Sequence, residues 1–127
     1  MKISLVSIPV EDPVEAHEIY TSKLGFITKQ FDAEARLAIV VSPEDPNGTA
    51  ILLEPCQGTF YENFQKSAFE SNLPILILES ENAVSTMEKL KSTGVKIRPD
   101  LEKPEWGVKN LFEDGCGNIL MIDELSS

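Results

Sequence analysis

A turn used twice constrains this chain more than any other feature. Glu44-Asp45-Pro46-Asn47-Gly48 leads into the apolar run Ala50-Ile51-Leu52-Leu53, and Glu113-Asp114-Gly115-Cys116-Gly117 leads into Ile119-Leu120-Met121-Ile122. The two turn glycines lie 69 positions apart (117 − 48 = 69), and the same interval carries Gly25 onto Gly94 (94 − 25 = 69), each after a helical stretch. Self-similarity at a fixed interval marks a duplicated supersecondary unit whose copies bury a face against each other. Each unit reads strand–helix–strand–strand–strand, so the expected fold class is α+β, built from two tandem βαβββ modules.

The elements follow from local patterns. Residues 3–10 read as a strand that is largely apolar on both faces, so burial on both sides is expected. Asp12-Pro13-Val14-Glu15 is a helix start: Asp12 supplies an N-cap acceptor, Pro13 suits the first helical position and Glu15 completes a capping-box pattern. Ala16, Ile19, Tyr20 and Leu24 then form one apolar face, and Gly25 suits a left-handed residue after the helix end. His17, the only histidine, lies off that face and reads as solvated. Strands follow at 26–32, 36–41 and 49–54. Phe60, Phe64 and Ala68 recur at i, i+4 and i+8, which predicts a short helix laying an aromatic stripe over the core. The second unit begins with a strand at 73–78, again expected to be buried on both faces. A helix at 81–93 has Ala83, Val84, Met87 and Leu90 inward. Here Ala16 and Ile19 align with Val84 and Met87 at an interval of 68 (84 − 16 = 68) rather than 69. Strands at 95–98, 107–112 and 118–123 complete the unit. The chain of 127 residues is therefore expected to form one domain. Module 1 covers about 1–56, a linker with the short helix 57–71, and module 2 about 72–127.

Charge narrows the functional classes. The net charge is −10, from 21 acidic and 11 basic residues. That field opposes nucleic acid and anionic membranes and favours a cationic ligand, or only confers solubility. The N-terminus lacks the shape of a signal peptide, and no apolar run nears the ~18 residues of a membrane span. Cys56 and Cys116 form no CxxC pair and read as reduced structural cysteines of a cytoplasmic protein. One histidine and two separated cysteines cannot build a multi-histidine or four-cysteine metal site. No P-loop, nucleophile elbow or dinucleotide fingerprint occurs, and no helix follows Gly115-Cys116-Gly117. No cofactor is expected.

Two stretches carry a family resemblance. Ile8-Pro9-Val10-Glu11-Asp12, then Ala16, Ile19-Tyr20 and Leu24-Gly25-Phe26 form the first. Trp106-Gly107, Phe112-Glu113-Asp114 and Gly117-Asn118 form the second. Together they resemble the opening and closing signatures of the vicinal-oxygen-chelate superfamily, which contains glyoxalase I, bleomycin-resistance proteins and extradiol dioxygenases. The resemblance implies that each module curls its sheet into half of an open barrel with a concave ligand cavity. It also implies dimers, sometimes formed by exchanging modules. Metal-dependent members carry four ligands on inward faces of each module's first and last strands. Carried over by the repeat, those positions fall near Leu5, Leu52, Pro74 and Met121, with Ile75 replacing Pro74 if the strand shifts by one. None of these side chains suits a divalent ion.

The expected function is therefore metal-independent binding of a small organic ligand, including cationic compounds, lined near Leu5, Leu52 and Met121. Ser7, Glu54 and Asp123 lie two residues along on the same faces, near the cavity mouth. They would serve acid–base chemistry, a weak hard-metal site or a cationic ligand, or are simply solvated strand-end groups. Trp106, between Pro104 and Gly107, stacks on a ligand or belongs to the core. The alternative is a metal-dependent lyase or dioxygenase using displaced ligands such as Glu54 and Asp123. The expected partners are a small molecule and a second copy in a homodimer.

Overall fold

The computed structural model describes residues 1–99 and 108–125. The first module runs through β1 (Leu5–Val10), α1 (Pro13–Ser22), β2 (Ile27–Asp32), β3 (Leu37–Val41) and β4 (Ala50–Pro55). A connecting helix, α2 (Phe60–Glu70), precedes the second module of β5 (Leu76–Ser80), α3 (Ala83–Ser92), β6 (Ile97–Arg98), β7 (Leu111–Glu113) and β8 (Ile119–Glu124). Each module forms an open four-stranded mixed sheet, ordered β1-β4-β3-β2 and β5-β8-β7-β6. The first and last strands of each module pair in parallel and the others antiparallel. The α+β class and the tandem repeat of the βαβββ pattern are as the sequence predicts.

Helix boundaries follow their caps. Asp12 is extended, and its carboxylate accepts the amide of Val14 at 2.9 Å, with Pro13 at the first helical position. Asn82 does the same for Ser85 at 3.0 Å. After both helices the chain turns through a left-handed glycine, Gly25 at φ +84° and Gly94 at φ +92°.

One face of each sheet meets a shared core. Ile8, Val10, Val40, Ile51 and Leu53 from the first module pack with Ala16 and Tyr20 of α1, and with Leu90, Phe112, Leu120 and Ile122 of the second. The far faces differ from expectation. The first strands are not buried on both sides: Leu5 and Ser7 are exposed in β1, and Ile77 and Glu79 in β5. Helices α1 and α3 pack on the core side, and apolar character on the other face does not by itself secure burial at these positions.

Four further expectations are corrected. Val84 is 69% exposed rather than inward. The helix caps lie 70 apart (82 − 12 = 70), so Pro13 matches Ala83 and Tyr20 matches Leu90, and the interval is not 68. The shift returns to 69 because the second module has one residue fewer between its C-cap, Thr93, and its glycine than Lys23 has before Gly25. Phe60 and Phe64 do not cover the core, being 87% and 52% exposed; α2 buries Gln65 and Ala68 instead. His17 is not simply solvated. Its Nε2 lies 2.7 Å from Thr28 Oγ1 and its ring stacks on Phe31 at 3.9 Å. A register shift between Thr28 and Gln30 sets both partners on the α1 side of β2.

A buried polar junction holds the modules together. Asp114, 1% exposed, accepts the Tyr20 hydroxyl at 2.6 Å and the Asn118 side-chain amide at 2.9 Å on one oxygen. Its other oxygen accepts the backbone amides of Cys116 at 2.7 Å and Asn118 at 3.1 Å. Asn118 also donates to the Pro9 carbonyl at 2.7 Å. From α2, the Gln65 amide donates to the carbonyls of Pro9 and Cys116, both at 3.0 Å, and to Asn118 Oδ1 at 3.1 Å. Gly117 admits this approach, since a Cβ there would fall 2.8 Å from Gln65 Nε2. Burial pushes the Asp114 carboxyl above its usual range, and its donors pull it part of the way back. Burial, then the Asp114 charge, pushes Tyr20 well above its ordinary value.

Two outcomes are expected. Asp12→Ala removes the α1 cap and lowers unfolding stability by about 1 kcal/mol, measured by urea denaturation. Tyr20→Phe strips one donor from Asp114 and costs about 1–3 kcal/mol at neutral pH. An acid whose folded pKa is raised contributes stability that is present below its unfolded pKa and lost as pH rises through the folded one. Losing the Tyr20 hydrogen bond raises the folded pKa further. The Tyr20→Phe penalty should therefore shrink as pH falls from neutral into the acid range. A penalty that grew on acidification would contradict this.

Candidate functional site

The far faces carry most of the side chains picked out in the sequence. Leu5 and Ser7 of β1 and Leu52 and Glu54 of β4 come together on one face, with Ser7 opposite Leu52 and Glu54 opposite Pro9. Met121 and Asp123 of β8 lie on the equivalent face of the second sheet, opposite Ile77 and Glu79. The strand pairing equates Ser7 with Ile77, and therefore Leu5 with Ile75 rather than Pro74. Trp106 lies outside the described residues.

The two faces differ. On the first sheet Leu5 is 43% exposed. The wall beside it is α2: the Tyr61 hydroxyl donates to the Ser7 carbonyl at 3.0 Å and lies 3.3 Å from its Oγ. Phe60 and Phe64 flank Tyr61, with ring centroids 5.3 and 5.6 Å away. On the second sheet Met121 is buried with Val108, Leu111 and Ile119 beneath Phe69 of α2. Arg98 lies over the Phe69 ring, 5.3 Å from its centroid, and is held by Glu113 at 3.2 Å and by Asn72. The second face is thus floored at Met121 and open at Ile77, which is 50% exposed, and at Asp123.

Tyr61, Phe69 and Arg98 were missed as site-forming residues. The aromatic spacing of α2 signalled a helix but not which side of it turns toward the sheets. That side is set by Gln65, whose amide is drawn to the module junction.

The chemical inventory of these faces is apolar and hydroxylic, with carboxylates at the strand ends. Among the described residues, no three His, Cys, Asp or Glu side chains converge to hold a metal ion. A cleft of about 400 Å³ beside α2 is lined by Glu11, Cys56, Glu62, Gln65, Lys66 and Phe69. Burial pushes the Cys56 thiol up and its hydrogen is donated to Gln65 Oε1 at 3.3 Å, so it is a poor nucleophile. A second cleft, about 600 Å³, lies between the modules on the core side. Leu5, Ser7, Leu52, Glu54, Met121 and Asp123 line neither cleft. Among the described residues no helix is long and apolar enough to cross a membrane.

This geometry has counterparts. UcmS2 superposes with a TM-score of 0.72 at 26% identity, over 96% of each chain. TnmS3, an antibiotic binding protein from Streptomyces sp. CB03234, superposes with a TM-score of 0.69 at 22% identity, over 99% of this chain and 97% of its own. The uncharacterized protein YurT of Bacillus subtilis (strain 168) is 36% identical over 124 residues, covering 96% of this chain and 98% of its own. The profile of the glyoxalase/bleomycin resistance protein/dioxygenase superfamily matches residues 2–122. With two βαβββ modules in tandem and this profile spanning residues 2–122, the chain belongs to the glyoxalase/bleomycin resistance protein/dioxygenase superfamily.

Proposed function

We propose that the chain, as one domain with modules at about 1–56 and 72–127, binds a small organic ligand on its far faces without a metal. The observation that carries this reading is the chemistry of the inward strand positions. By the family resemblance and the repeat, Leu5, Leu52, Ile75 and Met121 fall near the positions at which metal-dependent members carry their ligands. Three are hydrocarbon and one is a thioether, a soft and poor donor for hard or borderline divalent ions. A divalent ion with open positions for two substrate oxygens does not fit this set.

What these positions offer instead is apolar area with a few polar handles at the margin, the usual composition of a small-molecule site. Ser7, Glu54 and Asp123 supply the handles. The net charge of −10 favours cationic ligands. That TnmS3 is an antibiotic binding protein supports sequestration as a use of the fold. The exposed apolar side chains Leu5, Ile27 and Ile77 support a homodimer in which a second copy covers the far faces. The free, buried cysteines agree with a reducing, cytoplasmic setting.

Purified without chelator, the protein should hold less than about one-tenth of a metal equivalent, on the ligand-count argument. Stoichiometric Zn²⁺ or Ni²⁺ should leave its melting temperature unchanged. A panel of organic cations should contain compounds that raise it, and Leu52→Asp should abolish the rise. A near-equimolar metal that disappears in Glu54→Ala would instead establish the lyase or dioxygenase alternative. Light scattering should give a dimer at micromolar concentration.

A further inference from the structure

The repeat creates two places where the helix of one module meets the turn of the other. At the first, Tyr20 of α1 reaches Asp114, and Ile19 packs against Gly115, where an added Cβ would lie 3.3 Å from Ile19 Cδ1. The second has different residues. Leu90 of α3 is the counterpart of Tyr20 (90 − 20 = 70), and Asp45 is the counterpart of Asp114 (114 − 45 = 69). Leu90 is shorter than Tyr20 and carries no hydroxyl. Asp45 turns onto its own loop, its carboxylate filling the space that a Cβ on Gly48 would need.

The second junction is therefore not closed, and the cleft of about 600 Å³ lies there. Residues 42–44 of the turn form one side, and Thr86, Lys89 and Leu90 of α3 the other. Phe26, Leu78, Phe112 and Ile122 give it an apolar lining that belongs to the shared core. Its volume suits a small ligand. Its lining excludes the far-face residues, so it is separate from the site proposed above.

We propose that this cleft binds a small phenol. The closed junction shows what this fold accommodates between helix and turn: an aromatic ring ending in a hydroxyl that donates to a carboxylate. At the open junction the ring of a bound phenol lies over Leu90 and Phe26, above the core that contains Phe112. Its hydroxyl donates to Glu44, the carboxylate beside Asp45 that lines the cleft.

The probe is 4-methylphenol, the side chain of tyrosine, titrated into ¹⁵N-labelled protein, with toluene as the control. Saturable shifts are expected at the amides of Phe26, Thr86, Leu90 and Phe112. Toluene should bind about fivefold more weakly, the scale of one hydrogen bond. Glu44→Ala, on an exposed turn, should remove that preference. Leu90→Tyr, which supplies the ring from within, should abolish the 4-methylphenol shifts. If that variant fails to fold, Glu44→Ala still decides the matter. Absence of saturable shifts at these amides, equal binding of toluene, or an unchanged preference in Glu44→Ala would each overturn the proposal. Shifts confined to Leu5, Ser7 and Leu52 would overturn it too, and would assign the phenol to the far face.

Discussion

Asp114 is a carboxylate removed from water at the meeting point of two sheets, and the arrangement of the modules depends on how it is satisfied. A buried charge is tolerated only when hydrogen bonds replace its hydration. Here four donors do so, one of them the Tyr20 hydroxyl from the other module. The Pro9 carbonyl, at the end of β1, is drawn into the same network by Asn118 and Gln65. A half-satisfied network of this kind would cost more than an apolar contact. The requirement that every partner be present therefore pins α1, α2, β1 and the turn before β8 in one relation.

Duplication supplied two similar turns, but they are not used alike. Gly117 adopts φ +97° and lies against Gln65, whereas Gly48 is not left-handed and lies under the side chain of Asp45. One turn became the polar centre of the molecule and the other stayed at the surface. The same asymmetry reaches the helices, where Tyr20 and Leu90 occupy matching positions with different capacities. A repeat constrains the path of the backbone; it does not oblige the copies to share hydrogen bonds.

The far faces show a related inequality. Phe69, clamped under Arg98, fills the area over Met121. Among the described residues no such side chain covers Leu5, and the Tyr61 hydroxyl only borders the first sheet at Ser7. Ligand recognition on the first sheet would meet an apolar floor with an aromatic side wall. On the second sheet it would meet a closed floor with exposed Ile77 and acids at the strand ends.

Much of the fold was legible in the residues alone. The repeat interval, the Asp12-Pro13 start and the glycines after each helix define two βαβββ units, because caps, left-handed glycines and strand alternation act over a few residues. The chemistry of the inward positions was legible for the same reason, since Leu5, Leu52 and Met121 carry their side-chain character wherever they fall. What local pattern did not contain was which faces are covered. Phe60 and Phe64 repeat at helical spacing yet lie in solvent, because Gln65 orients α2 by bonds to Pro9 and Cys116 that are 56 and 51 residues away. Asp114 read as one more acid in a turn. Only the tertiary structure made it a buried hub: Asn118 bonds it within its own turn, but Tyr20, 94 residues away, meets it through packing between modules that no local sequence signal encodes.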